Sequence, residues 1–181
     1  INETPIQSIN LDAYRRKFGV VPQEVFLFSD SIRNNIAFGI NDAEITDEEL
    51  INVTKQAHVY HNIERFPEKF DTVLGERGVN LSGGQKQRIS IARALIRKPE
   101  LLLLDDCLSA VDTETEEIIL KSLDELQNQT VVIVSHRISS LRFTDRILVI
   151  EDGVIVENGS HEDLLQKEGA YYEMYLKQLA E

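Results

Sequence analysis

Two segments decide the fold: LSGGQ at Leu81–Gln85 and LLLLDD at Leu101–Asp106. The first places a serine and two glycines at the predicted start of a helix, where backbone N–H groups lack intrahelical partners and attract anions. The second is an apolar strand that ends in two carboxylates, the ligand type that Mg²⁺ prefers. Together they suit a nucleoside triphosphate and its magnesium.

The first segment is expected to open a long helix. Ser82 should cap this helix, and Gln85 completes a capping box. The helix should run to about Lys98, because Pro99 stops it. Apolar residues at helical spacing would face the core: Ile89, Ala92 and Ile96.

Apolar strands and helical patterns alternate along the rest of the chain. Further strands are expected at Phe18–Val21, Thr130–Val134, Arg146–Ile150 and Val154–Glu157, the last two as a hairpin. Further helices are expected at Ser31–Phe38, Thr46–His58, Thr113–Leu126, Ser139–Arg142, Ser160–Gln166 and Ala170–Ala180. This order predicts an α/β fold whose parallel sheet is buried on both faces.

Bulk composition excludes several classes of protein. The formal net charge of −12 over 181 residues argues against a nucleic-acid or anionic-membrane surface. Cys107 is the single cysteine, so no internal disulfide can form. The longest apolar runs, Leu101–Leu104 and Val131–Val134, are too short to cross a bilayer. Because the first residue is Ile1, we expect the chain to begin inside a larger gene product.

These segments, in this order, resemble the nucleotide-binding domain of ATP-binding cassette (ABC) transporters. LSGGQ matches the family signature, and Leu101–Asp106 is similar to the Walker B strand. Four further segments resemble the Q-loop, the export-type coupling segment, the D-loop and the switch histidine: Val21–Gln23, Gly75–Gly78, Ser109–Asp112 and Val134–Arg137. The resemblance covers essentially the whole chain.

The resemblance implies an α/β, P-loop NTPase-like fold, with residues 1–181 forming a partial ABC ATPase domain. A helical subdomain at 29–79 would be inserted between the Q-loop and the signature. Residues 1–28 and 80–181 would form part of a RecA-like core. Because the Walker A strand and helix are missing from this sequence, we expect an exposed edge or an apolar gap in the sheet.

The resemblance also implies catalytic roles. Asp105 would hold Mg²⁺, and Gln23 would contact both the metal and the attacking water. His136 would donate to the γ-phosphate of ATP. Asp106 would orient or deprotonate the attacking water.

A second set of residues would contact ATP that is held by an opposite subunit. In the family, the signature and the D-loop reach across a head-to-tail dimer of nucleotide-binding domains, identical or different. The residues implied here are Ser82, Gly83, Gly84, Gln85 and Asp112.

Asp106 departs from the family pattern, which has Glu at this position. Asp is one methylene shorter, and a misplacement of about 1 Å can cost about a hundredfold in rate. Two alternatives stay open: a degenerate site paired with an active one, or a working but slower acid.

The leading hypothesis is therefore the ATPase component of an exporter that couples MgATP hydrolysis to movement of a solute. The stretch Val21–Gly39 is similar to export-type systems. This similarity implies transmembrane domains that would be fused upstream and would contact the helical subdomain. The intact protein would then lie at the cytoplasmic face of the cell membrane. No nucleic-acid partner is expected.

Two rival hypotheses remain. A DNA-repair or chromosome-structuring ATPase would separate its halves with a long coiled coil, but only residues 24–81 lie between Gln23 and Ser82, without sustained heptads. The other rival is a non-enzymatic interaction fragment, because this sequence contains no G-x-x-x-x-G-K-[ST] phosphate loop.

The absence of that loop from the sequence yields a testable prediction. With nothing to grip the α- and β-phosphates, this polypeptide alone should bind ATP weakly and hydrolyse it negligibly. Isothermal titration of the 181-residue chain with MgATP should give no micromolar binding. A micromolar dissociation constant would refute this expectation.

Overall fold

The computed structural model of the protein describes residues 5–40, 45–75, 80–126 and 129–180. Two compact units divide the chain, Ile1–Val134 and Ser135–Glu181. The division that sets residues 29–79 apart as a helical subdomain stays a prediction. Most of the predicted export-type coupling segment, Gly75–Gly78, lies outside the described residues.

A three-stranded parallel sheet forms the centre of the first unit, in the order β1 (Phe18–Val21), β2 (Leu101–Asp105) and β3 (Thr130–Val134). All three strands have the bounds that the apolar runs predicted. In a parallel sheet the carboxyl ends of the strands meet at one edge. The residues after β1 and β2 are therefore brought together although they are far apart in sequence.

The two faces of this sheet differ in burial. Val21, Leu102 and Leu104 are buried on one face. On the other face Val20, Val132 and Val134 are 53%, 40% and 50% exposed. Burial on both faces was expected and is wrong for the described part of the chain. The expected exposed edge or apolar gap in the sheet stays a prediction, because β1, β2 and β3 pair as continuous neighbours. A parallel sheet is normally covered on both sides, so this face is suited to contact further protein.

The described part of the first unit also contains six helices: α1 (Leu11–Arg15), α2 (Ile32–Ala37), α3 (Asp47–Gln56), α4 (Tyr60–Ile63), α5 (Gly83–Leu95) and α6 (Thr113–Asp124). Helix α1 was not predicted, because five residues are too few to show a helical period. Helix α5 ends before the predicted residue. At Lys98 the backbone turns to φ 48°, which is incompatible with a continuing helix.

Helix α5 packs against α2, α3 and β1. Its contact with α2 centres on Asn35, whose side chain is fully buried. The Asn35 Oδ1 accepts from the backbone N–H of Phe28 at 2.8 Å, and its amide donates to the carbonyls of Phe28 and Ser31 at 3.0 Å each. One buried amide thus fixes the loop that follows the Q-loop segment.

The second unit contains an antiparallel hairpin of β4 (Ile147–Glu151) and β5 (Val154–Gly159), with α7 (Ile138–Leu141), α8 (His161–Lys167) and α9 (Ala170–Leu179). The hairpin was predicted, and its turn has positive φ at Asp152 and Gly153. The core of this unit consists of Ile138, Ile147, Val149, Leu164 and Tyr171. Within the described ranges, no helix has the length and apolar character needed to cross a membrane.

Candidate functional site

The two acidic residues lie at the carboxyl edge of the sheet. Asp105 ends β2 and is exposed, and Asp106 follows it with a left-handed φ of 44°. Such a conformation is unfavourable for a residue other than glycine and persists only where neighbours enforce it. Here the Asp106 N–H donates to the carbonyl of Val134 at 2.8 Å, so the end of β3 holds the backbone in place.

Gln23 lies at the same edge, just after β1. Its Nε2 donates to Oδ2 of Asp106 at 3.4 Å, although 83 residues separate the two. The structure therefore brings together two of the residues that the sequence assigned to one site. At 3.4 Å the contact is long for a hydrogen bond.

The donor set at this edge fits magnesium that arrives with a nucleotide. Mg²⁺ usually takes one or two carboxylates from the protein and completes its shell with phosphate oxygens and water. Asp105, Asp106 and the Gln23 amide supply such oxygens. Across the described ranges, no group of three or more His, Cys, Asp or Glu could form a metal cage.

Cys107 follows the two acidic residues, and its thiol is expected to be unreactive. Burial, and to a smaller extent the charges of Asp106 and Asp105, raise the pKa of its thiol to about 12. The side chain stays protonated at neutral pH, and a protonated thiol is a poor nucleophile.

The signature turn has the predicted capping box. The Ser82 Oγ accepts from the N–H of Gln85 at 3.3 Å, and the Gln85 Oε1 accepts from the N–H of Ser82 at 2.9 Å. Ser82 and Gly83 remain exposed at the start of α5. The Gln85 carbonyl oxygen is therefore used in capping the helix, and its NH₂ group is the part of the side chain suited to contact a ligand.

The same turn lies directly on the D-loop segment. A Cβ on Gly84 would stand 2.9 Å from the carbonyl oxygen of Ala110, and one on Gly83 would stand 3.3 Å from the Ala110 Cβ. The buried Gln87 accepts from the N–H of Ala110 at 3.1 Å and donates to the Ser109 hydroxyl at 3.5 Å. Packing against Ala110 thus explains why residue 84 is a glycine, independently of any contact with a phosphate.

Sequence reasoning did not single out Gln87. The indication was a polar residue on the buried face of an amphipathic helix, but its partners lie more than twenty residues away. Ser109 continues the connection, because its Oγ donates to the carbonyl of Asp106 at 3.0 Å. The signature helix and the backbone of Asp106 are therefore linked through two side chains.

Asp112 has a structural task of its own, as the N-cap of α6. Its Oδ1 accepts from the N–H of Thr115 at 2.9 Å, and this bond, helped by the charge of Arg88, lowers the pKa of Asp112. Arg88 itself donates to the carbonyl of His58 at 2.6 Å and to that of Gly84 at 3.2 Å. The predicted contact of Asp112 with ATP stays a prediction.

His136 belongs to the second unit and is exposed there. Gln178, near the end of α9, donates to the carbonyl of His136 at 2.5 Å and accepts from the N–H of Ile138 at 2.8 Å. The Ser135 hydroxyl accepts from the N–H of Arg137 at 3.0 Å. Sequence reasoning missed Gln178, because no local pattern connects the two segments.

A parallel α/β sheet with acids at its carboxyl edge and a serine–glycine helix start is typical of nucleotide-binding domains. A family model described as "ABC transporter" matches residues 1–109. The chain belongs to this family. Among solved structures, it is similar to a bacterial Atm1-family ABC exporter with ATP bound, at 42% identity and a TM-score of 0.87, covering 92% of this chain and 29% of that one.

Curated relatives include the ATP-dependent lipid A-core flippase of Vibrio cholerae, 46% identical over 97% of this chain. The uncharacterized ABC transporter ATP-binding protein YfiB of Bacillus subtilis is 47% identical over 98%. ATP-binding cassette sub-family B member 5 of Homo sapiens is 42% identical over 98%. The chain spans 30% of the length of each of these two bacterial proteins and 14% of the human one.

The close packing of Gly84 predicts that replacing this glycine will have an unusual effect on stability. Alanine normally stabilises a helix relative to glycine. Gly84→Ala should nevertheless lower the free energy of unfolding by about 1–3 kcal/mol, since the new Cβ meets a backbone oxygen. Thermal unfolding of the chain without nucleotide measures this.

Gly83→Ala is the matched control, because its Cβ needs a shift of only a few tenths of an ångström. It should unfold closer to the wild-type temperature. Equal or higher stability of Gly84→Ala would show that the turn does not rest on Ala110 as described.

Proposed function

We propose that the chain is the signature-containing part of an ABC transporter's nucleotide-binding domain, which couples MgATP hydrolysis to export of a solute. The contact between Gln23 and Asp106 at the carboxyl edge of the sheet carries this proposal. It pairs a group that orients water with a group that accepts a proton, where a nucleotide binds in α/β folds.

Each side chain has a task in the proposed reaction. Magnesium, when bound at Asp105, neutralises developing charge on the phosphate oxygens. Gln23 orients the Asp106 carboxylate and the attacking water, and Asp106 accepts a hydrogen bond or proton from that water. His136 donates an imidazole N–H to a γ-phosphate oxygen, which stabilises the charge that develops there.

The signature turn serves a second nucleotide in this proposal. Ser82 and Gly83 are exposed at the start of a helix of 13 residues, where N–H groups and the helix dipole favour an anion. A head-to-tail dimer with another nucleotide-binding domain, identical or different, would place this end against the γ-phosphate on the partner. Each nucleotide would then be clamped between two domains.

Two exposed surfaces suit the remaining parts of a transporter. The open sheet face around Val20, Val132 and Val134 suits the part of the domain that carries the phosphate loop. An aromatic group of Phe26, Phe28 and Phe38, with ring centroids 5.0 and 4.5 Å apart, suits contact with transmembrane domains. Phe26 and Phe38 are 51% and 53% exposed. The working site would be at the cytoplasmic face of a membrane.

Lengthening the proposed general base tests its role. In the complete transporter, Asp106→Glu should raise steady-state ATP turnover, because the carboxylate then reaches further towards the water. A rise of about tenfold or more identifies Asp106 as a working but slow acid. A rise to about twofold identifies a degenerate site beside an active one, since one further working site is gained.

Asp105→Glu is the matched control, because it makes the same change one residue earlier. It should lower turnover, since the metal-holding carboxylate is displaced. An unchanged or lower rate for Asp106→Glu would contradict the role given to Asp106. A wild-type transporter that hydrolyses no ATP would contradict the proposed function itself.

A further inference from the structure

Gln178 bonds to the backbone on both sides of Arg137. Its Nε2 donates to the carbonyl of His136 at 2.5 Å, and its Oε1 accepts from the N–H of Ile138 at 2.8 Å. One primary amide thus pairs with two peptide groups in the manner of a neighbouring strand. Both contacts join residues about forty positions apart in sequence.

The backbone after His136 enters a short helix. Helix α7 has four residues, and its N-cap, Arg137, makes no side-chain capping bond. The N–H of Ile138 is one of the first-turn groups that have no intrahelical partner. Gln178 supplies the missing acceptor. The Ser135 hydroxyl accepts from the N–H of Arg137 at 3.0 Å and so holds the same turn from its other side.

Gln178 is itself held by the core of the second unit. Helix α9 begins at Ala170, and Tyr171 in its first turn is 1% exposed. The N–H of Tyr171 donates to the carboxylate of Glu157 at 2.7 Å, and the Tyr171 hydroxyl lies 2.8 Å from the His161 Nδ1. The helix is therefore anchored at its start, two turns before the amide that reaches the His136 segment.

We propose that Gln178 is a positioning residue that holds the His136 backbone in the conformation from which the imidazole reaches the γ-phosphate. This inference rests on the proposed function, in which His136 donates to that phosphate. A displacement of the turn by about 1 Å would cost up to about a hundredfold in rate. The C-terminal helix, which was not assigned any part in catalysis, would thus set the geometry of a catalytic side chain.

Two substitutions separate the two halves of the amide. Gln178→Met keeps the length of the side chain and removes both hydrogen bonds. Gln178→Glu keeps the acceptor for the N–H of Ile138 and removes the donor to His136. Gln166→Met is the matched control, because it replaces an exposed glutamine on α8 of the same unit.

Amide hydrogen exchange on the full chain gives the first readout. Exchange at Ile138 should be about tenfold faster in Gln178→Met and close to wild type in Gln178→Glu and Gln166→Met. Unchanged exchange in Gln178→Met would overturn the inference. Equal acceleration at Ile138 and throughout the core, for example at Val149 and Leu164, would also overturn it, because Gln178 would then act on general stability.

Kinetics of the complete transporter give the second readout. Gln178→Met should lower kcat by about tenfold or more and leave the KM for ATP within about twofold. In a His136→Ala background the same substitution should change kcat by less than about twofold, because Gln178 acts through His136. A further loss as large as that in the wild-type background would overturn the inference.

The two proposals fail in different ways. A wild-type transporter that does not hydrolyse ATP, or a His136→Ala variant with full turnover, would overturn the proposed function and with it this inference. Normal hydrolysis that depends on His136, combined with an unaffected Gln178→Met variant, would overturn the inference alone.

Discussion

The arrangement of the first unit depends on the hydrogen bonds that the guanidinium of Arg93 donates. It donates to the carbonyls of Asn35 and Phe26 at 2.7 and 2.8 Å and to the Asn35 side chain at 2.9 Å. Burial lowers the pKa of Arg93, but an arginine stays charged at any pH at which the protein is folded. A desolvated charge is tolerated only where its donors are satisfied. If helix α5 moved away from α2, these three hydrogen bonds would break and the part-buried Asn35 carbonyl would lose this donor.

Because α5 is fixed in this way, the position of its first turn is fixed too. The turn rests on Ala110 through Gly84, and Gln87 reaches the same loop one turn later. Ser109 then connects the loop to the backbone of Asp106. A single helix thus joins the segment proposed to contact a partner's nucleotide to the acid proposed to act on the chain's own.

The features that local sequence determines were predictable, and the long-range ones were not. Apolar runs gave β1, β2 and β3 to the residue, and the capping residues Thr46 and Ser82 gave the starts of two helices. The family resemblance placed the acids and Gln23 in one site, and the structure shows why Gln23 and Asp106 meet, because their parallel strands end at one edge of the sheet. Nothing local indicates that Gln87 and Gln178 bond to distant backbone, or that Asp106 has a left-handed φ. These contacts depend on the packing of whole elements, which one sequence does not reveal.

The central claim is that each nucleotide is shared, with the acids on one chain and the signature turn on the other. Mixed dimers of the complete transporter test it with Asp105→Asn and Ser82→Arg. When the two substitutions lie on opposite chains they damage the same site, and we expect the turnover of one intact site. When they lie on the same chain they damage both sites, and turnover should fall to background. The reverse pattern, activity with both substitutions on one chain and none with them on opposite chains, would contradict the account.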